Sequence, residues 1–253
     1  ELSLDPIDPN TDLLLHLNNT AVDSNTPPKT VTANSITFAT PTAVFGDFSA
    51  AFDGSASYLA VADSTDWQFG AGDFTVDFWV RFSDDDVAHT LMAYGEDGAA
   101  DSTLPALLIR RNADNTLTAQ CATSAAAGDE LGQITSAITY TSGAWNHVAY
   151  VRNGKDFTLY VNGASVGTTS SADAVYAPSN AALNIGRDTR STGTFHAGHI
   201  DEVRVSKGTA RWTGAFAVPT EAYSGDGTPD VDFETGTNTS GFFTDRKSTR
   251  LNS

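Results

Sequence analysis

The sequence predicts an all-β protein made of many short antiparallel strands, a sandwich or a barrel. Three observations point there. Residues 72–82, GDFTVDFWVRF, alternate strictly between apolar and polar; other short runs rich in β-branched and aromatic residues end on Gly, Asn, Asp or Ser; and Asn-Gly pairs fall between such runs. Helix signals are nearly absent. The one segment of helix-compatible composition, SAAAGDELG at 124–132, contains glycines that suit a loop as well as a turn of helix.

Along the chain, the alternation in 72–82 puts Phe74, Val76, Phe78, Val80 and Phe82 on one face and Thr75, Asp77, Trp79 and Arg81 on the other. The phenylalanine and valine face is core. TLTAQC (116–121), WNHVAYV (145–151), FTLYVNG (157–163), ALNIG (182–186) and HIDEVRVS (199–206) follow as further strands. Asn162-Gly163 is the strongest hairpin signal, because a two-residue type I′ turn needs positive φ at both positions. With Asn153-Gly154 in a related role, HVAYVR, DFTLYV and ASVGTT form a three-strand meander carrying His147 in its first strand. After the last strand come an irregular extension, KGTARWTGAFAVPTEAY, and a Gly, Ser and Pro linker, YSGDGTPD at 223–230.

Composition excludes several classes. The chain of 253 residues has 31 acidic residues against 14 basic ones, net −17, so nucleic acid and anionic lipid would be repelled over most of the surface. No apolar run is long enough to cross a bilayer, which predicts a soluble globular protein without membrane insertion. A single cysteine, Cys121, excludes an internal disulfide and a cysteine-based zinc site; it reads as a small buried apolar side chain. The ending DRKSTRLNS, 245–253, has three basic residues in nine and resembles a translated sequencing adapter, so it is set aside as a scar and a longer, multidomain parent is expected.

FDGSASYLAV, FGAGDFTVDFWVRF, GAWNHVAYVRNGKDFTLYVNGASVG, ALNIG and GHIDEVRVSKGTARWTGAFAVPTEAY stand in the order seen in laminin-G-like domains of the concanavalin A-like lectin/glucanase superfamily. TDLLLHLNNTAVDSN resembles the opening strand of those domains. The resemblance implies a two-sheet antiparallel jelly-roll sandwich over 8–223, a linker and the start of another segment at 224–244, and the scar beyond. Its ending is similar to that of domains in phage structural proteins and large secreted bacterial proteins, which implies an extracellular or virion-surface location. The superfamily holds lectins, hydrolases and scaffolds, so function rests on the sites.

Hydrolysis by the retaining route requires two carboxyl groups about 5 Å apart, which glucanases of this superfamily supply as Glu-x-Asp-x-Glu. The chain has no such triplet; the nearest pair is Asp73 with Asp77, which reads more simply as a turn residue and an exposed strand carboxylate. His147 has no nucleophile elbow to serve and reads as a packed framework residue. His196 and His199, three apart on a strand, point to opposite faces, which defeats shared ligation of a metal unless the chain bends. Asp84, Asp85 and Asp86 read as a solvated cluster, with a cation grip as the alternative. For calcium the resemblance implies Asn18, Asp23 and Asp201 with a backbone carbonyl of Gly46, the alternative being that Asp23 and Asp201 cap turns.

A sugar offers an apolar face and hydroxyls, so its site needs an aromatic platform beside planar polar groups. Trp79 with Asp77 and Arg81 has that chemistry on one strand face, with Tyr150, Arg152 and Tyr160 expected on neighbouring strands. The competing role for Trp79 is packing, and Trp212 is expected to staple the C-terminal extension onto the sandwich. The sequence thus predicts a non-catalytic binding or adhesion module, with a glycan or cell-surface receptor as partner and calcium as a structural ion. The alternatives are a structural spacer and a divergent glycoside hydrolase.

Overall fold

The structure, a computed structural model, describes residues 9–223 apart from 26, 41, 97, 99, 101, 102, 191 and 192. In chain order the strands are β1 (Thr11–Leu15), β2 (Val31–Asn34), β3 (Thr37–Ala39), β4 (Ser49–Asp53), β5 (Tyr58–Val61), β6 (Phe74–Phe82), β7 (His89–Gly95) and β8 (Leu107–Arg111). They continue as β9 (Thr116–Ala122), β10 (Glu130–Thr139), β11 (Trp145–Asn153), β12 (Asp156–Val161), β13 (Ala164–Ser170), β14 (Ala182–Ile185) and β15 (Ala197–Lys207). Among the described residues the one helical element is a 3₁₀ turn, Thr65–Trp67, and no helix is long and apolar enough to cross a membrane.

The strands form two antiparallel sheets. The first runs β13-β12-β11-β6-β15-β4-β3, with β1 also paired to β15; the second runs β10-β9-β8-β7-β14-β5-β2. The meander is β11, β12 and β13, and its turn residues Asn162 and Gly163 take φ of 51° and 77°. SAAAGDELG becomes a turn leading into β10.

The core lies between the sheets. Phe74, Val76, Phe78, Val80 and Phe82 of β6 are all buried there, facing Leu107, Ile109, Ala119 and Cys121 of the second sheet. Cys121 is a free, buried thiol, pushed up to about 12 by that burial. One strand departs from regular geometry. β15 pairs along its first half with β4 and its second half with β1, and its register against β6 shifts between Asp201 and Arg204. Glu202, at φ 47°, sits in this bulge, which is how β15 serves two partners and aims Arg204 at Asp77.

Candidate functional site

A two-sheet sandwich has two outer faces, and here they differ. The outer face of the first sheet holds Asp77, Trp79, His147, Tyr160 and Arg204, and residues 208–223 fold back across it as a strap. Trp212 stacks on Phe216 at 4.0 Å between ring centroids, and both rings stand edge-on to His147. Trp212 packs with Ala149, Val151 and Tyr160; Tyr223 packs with Leu14 and Trp79. Trp212 therefore staples the extension, as its sequence context suggests.

Under the strap lies a polar layer. Arg204 donates through Nε and Nη2 to the two oxygens of Asp77, at 3.1 and 3.0 Å, and both side chains are buried. Burial alone would raise the Asp77 carboxyl, but Arg204 and His147 outweigh it and hold it below the usual carboxylate range. His147 is fully buried, with Nε2 3.0 Å from the Tyr223 hydroxyl. It is part of the frame.

This arrangement corrects the sugar platform expected from Asp77, Trp79, Arg81, Tyr150 and Tyr160. Trp79 is 8% exposed and Tyr160 2%, both covered by the strap and its neighbours. Tyr150 pairs with Val76, which places it on the core face, where its hydroxyl donates to the Gly132 carbonyl. Arg152 is buried and its guanidinium donates to four backbone carbonyls. Arg81 alone reaches the rim, donating to Gly143 O. Alternation identified the face opposite the core but carried no sign of a third layer over it.

Nor do the candidate carboxylates converge for hydrolysis. Asp73 accepts the Gly154 N–H at 2.6 Å while Asp77 is bound to Arg204. Each of the Asp84, Asp85 and Asp86 trio has a protein donor. Asp84 meets His89 Nε2 and Arg111, Asp85 accepts from Ser142, and Asp86 accepts from Asn115. His196 turns inward to His89, their Nδ1 atoms 3.3 Å apart, whereas His199 lies 3.2 Å from Ser49 Oγ. The two do not share a partner.

Of the four residues implied for calcium, three meet at the turn formed by 44–48. Asp201 Oδ2 accepts the Val44 N–H, Asn18 Oδ1 accepts the N–H groups of Asp47 and Phe48, and a side chain at Gly46 would collide with Asn18. Asp23 accepts the N–H groups of Leu14, Asn25 and Lys29, the bonding of a turn anchor. Among the described residues no three His, Cys, Asp or Glu side chains are grouped to hold a metal. Burial, with the charge of Glu202 beside it, pushes Asp201 up to about 7, and a cation would offset that.

The outer face of the second sheet is built differently. Among the described residues all fifteen strands belong to the two sheets, so no further described strand covers it. Strand pairing puts Gln120, Leu108, Ala93, Asn184 and Ala60 in one cross-strand row and Thr135, Thr118, Arg110 and Thr90 in another. Loop residues 187–190 and 193–195 fold over the β7 and β14 part of this face. They fit because Gly95 has no side chain: a Cβ there would lie 2.9 Å from Thr189 Oγ1. Gly98 N–H donates to Thr189 O and Thr90 Oγ1 lies 2.8 Å from Thr194 Oγ1, fixing the loop at both ends.

Beside that loop the face is polar and ordered. Asn112 Nδ2 donates to Thr116 and Thr118, Thr118 Oγ1 lies 2.8 Å from Thr135 Oγ1, and Gln133 donates to Gln120 Oε1 at 2.8 Å. On the flank, Arg187 lies over the Tyr58 ring at 3.8 Å and donates to Asn184 Oδ1. Thr118 and Gln120 are 2% and 4% exposed, covered by their neighbours, and the exposed groups beside them are Gln133 and Thr135 of β10. Planar amides, hydroxyls, an arginine and a ring-stacked arginine stand together. The alternation of TLTAQC, with Thr118 and Gln120 opposite Leu117, Ala119 and Cys121, was the signal that could have found this row.

An antiparallel sandwich of two such sheets is a lectin-type fold. The chain belongs to the concanavalin A-like lectin/glucanases superfamily, whose family model matches residues 53–213. No curated protein matches the sequence. Among solved structures it is similar to the binding domain of Paraclostridial Mosquitocidal Protein 1, at 16% identity and TM-score 0.59 over 78% of this chain and 49% of that one. It is similar to the binding domain of Botulinum Neurotoxin DC in complex with SialylT, at 14% identity and TM-score 0.56 over 78% and 48%. A third is Domain 4 of AbnA, a GH43 extracellular arabinanase from Geobacillus stearothermophilus, in complex with arabinotriose, at 18% identity and TM-score 0.53 over 79% and 94%. The chain spans about half the length of the toxin binding domains it matches.

Proposed function

We propose that this protein is a non-catalytic glycan-binding module and that the sugar sits on the outer face of the second sheet, against the exposed Gln133 and Thr135 of β10. The observation that carries this is the in-register row of amides and hydroxyls, Gln133 bonded to Gln120 and Thr135 to Thr118, on the outer face that the strap does not seal. Sugar hydroxyls need donors and acceptors in fixed positions, which such a bonded row supplies. The two glycan-complexed domains of like fold support the ligand class.

Each module would bind weakly and act through repetition in a larger extracellular or virion-surface assembly. The reading extends to a calcium ion at the turn where Asn18, Gly46 and Asp201 meet, with a structural rather than a recognition role. A glycan-array screen of the chain, with calcium and with chelator, tests the proposal. Binding to a narrow glycan set supports it, and absence of binding in both conditions leaves a structural spacer.

A further inference from the structure

We propose that His89 and His196 form an acid-sensitive lock between β7 and the start of β15, shut while both rings are neutral and opened when they take up protons. The lock goes beyond the glycan reading and does not rest on it, since its state is read with no ligand present.

His89 opens β7 and His196 immediately precedes β15; both are fully buried. Their Nδ1 atoms lie 3.3 Å apart, a gap that holds one hydrogen and not two. Ala197 decides which ring carries it, because its N–H donates to His89 Nδ1 at 2.9 Å. That nitrogen is therefore an acceptor, and the hydrogen in the contact belongs to His196. The hydrogen of His89 then sits on Nε2, 2.6 Å from Asp84 Oδ1. His196 Nε2 is left as a bare lone pair, buried with no hydrogen-bond partner. Each ring is neutral and held in one tautomer.

A further proton has no place in this arrangement. On His89 it would go to Nδ1 and set a donor against the Ala197 N–H and the His196 Nδ1–H. On His196 it would put an N–H into the interior without an acceptor. Either outcome carries the cost of a buried polar group left unpaired. The charged neighbours are Arg111 from β8, Asp84 from the loop after β6 and His199 further along β15, while β4 and β6 present Phe52 and Phe82. Asp84 favours a proton on His89; burial, with Arg111 adding its charge, outweighs it and lowers both histidines. The contact is also where β15 is anchored at its start. His196 N–H donates to Gly186 O and Gly54 N–H donates to His196 O. Opening there frees the first residues of β15, and its later part stays paired to β6 and β1.

Hydrogen exchange of the whole chain between pH 8 and about pH 5, with each rate divided by its intrinsic value at that pH, tests the lock. In the opened state each histidine binds one proton below its ordinary value of 6.5, and in the closed state neither does. Opening at 193–199 is then expected to rise as pH falls, approaching about tenfold per pH unit for each proton, or a hundredfold for the pair. Protection of β9, which lies away from the contact, is expected to hold over the same range. His89→Asn and His196→Asn each remove one titrating ring and are expected to leave about a tenfold slope, and the double variant none. Opening that does not change with pH in the parent overturns the inference, as does equal loss of protection in β9 or a slope that the substitutions leave unchanged. The parent alone decides the first two points, so the test stands if a variant fails to fold.

Discussion

Asp77 keeps a full charge in the interior because Arg204 meets it with two hydrogen bonds and His147 lies 3.6 Å from the same carboxylate. Breaking such a pair from one side strands the other charge, so Asp77→Asn is expected to cost about 3–5 kcal/mol in denaturant unfolding, much more than a surface change. The pH sign follows from the depressed folded value. The contribution of Asp77 is present above its unfolded value of 3.8 and is lost as pH falls below it. The sequence placed Asp77 on the face opposite the core correctly, because the period of two is local. Its burial depends on Arg204, Trp212 and Tyr223, which lie more than a hundred residues away, and alternation in β6 holds no trace of them.

At the scale of elements, the strap is held by backbone as well as rings. Phe216 N–H donates to Gly163 O at 2.9 Å, and a Cβ on Gly163 would run into the Phe216 carbonyl oxygen. Gly163 also takes φ of 77° for its turn. Gly163→Ala therefore meets two penalties and is expected to destabilise the fold by about 1–3 kcal/mol and to shift Trp212 fluorescence towards that of an exposed indole; unchanged fluorescence would mean that the strap does not depend on this contact. The hairpin itself was legible, since Asn-Gly between two alternating runs states its turn geometry directly. So were β6, β9, β11, β12 and β15, read from alternating or β-branched runs. Shorter strands such as β2 and β3 have too few residues to show a period, and the bulge at Glu202 follows from β15 serving both β4 and β1 rather than from local sequence.

Across the whole molecule, the ends of the sandwich are tied by acids whose folded values are raised. Burial, with Asp66 adding, lifts Asp12 to about 6, and burial with Glu202 lifts Asp201 to about 7. Both bind a proton more tightly folded than unfolded, so their contribution to stability falls as pH rises from about 4 to about 7. His16, raised by its hydrogen bond to Glu202, adds the same sign above its ordinary value of 6.5. His89 and His196, lowered chiefly by burial, act oppositely below 6.5, so the comparison is made between variants. In chelator, Asp12→Asn with Asp201→Asn is expected to flatten the decline in melting temperature between pH 4 and 7 relative to the parent. Calcium at pH 8 is expected to raise the melting temperature of the parent but not of Asp201→Asn; no effect on either confines Asp201 to anchoring the 44–48 turn.

The two outer faces differ: one is sealed by the strap, and the proposed function places a glycan on the other. The most direct test is calorimetric titration of the strongest array glycan into two variants, Thr135→Trp, which blocks the exposed polar row of the second sheet, and Trp79→Phe, which alters the sealed face. Thr135→Trp is expected to abolish binding with little change in melting temperature, and Trp79→Phe to bind as the parent does. Retained binding in Thr135→Trp, with loss in Trp79→Phe, would contradict the proposed function.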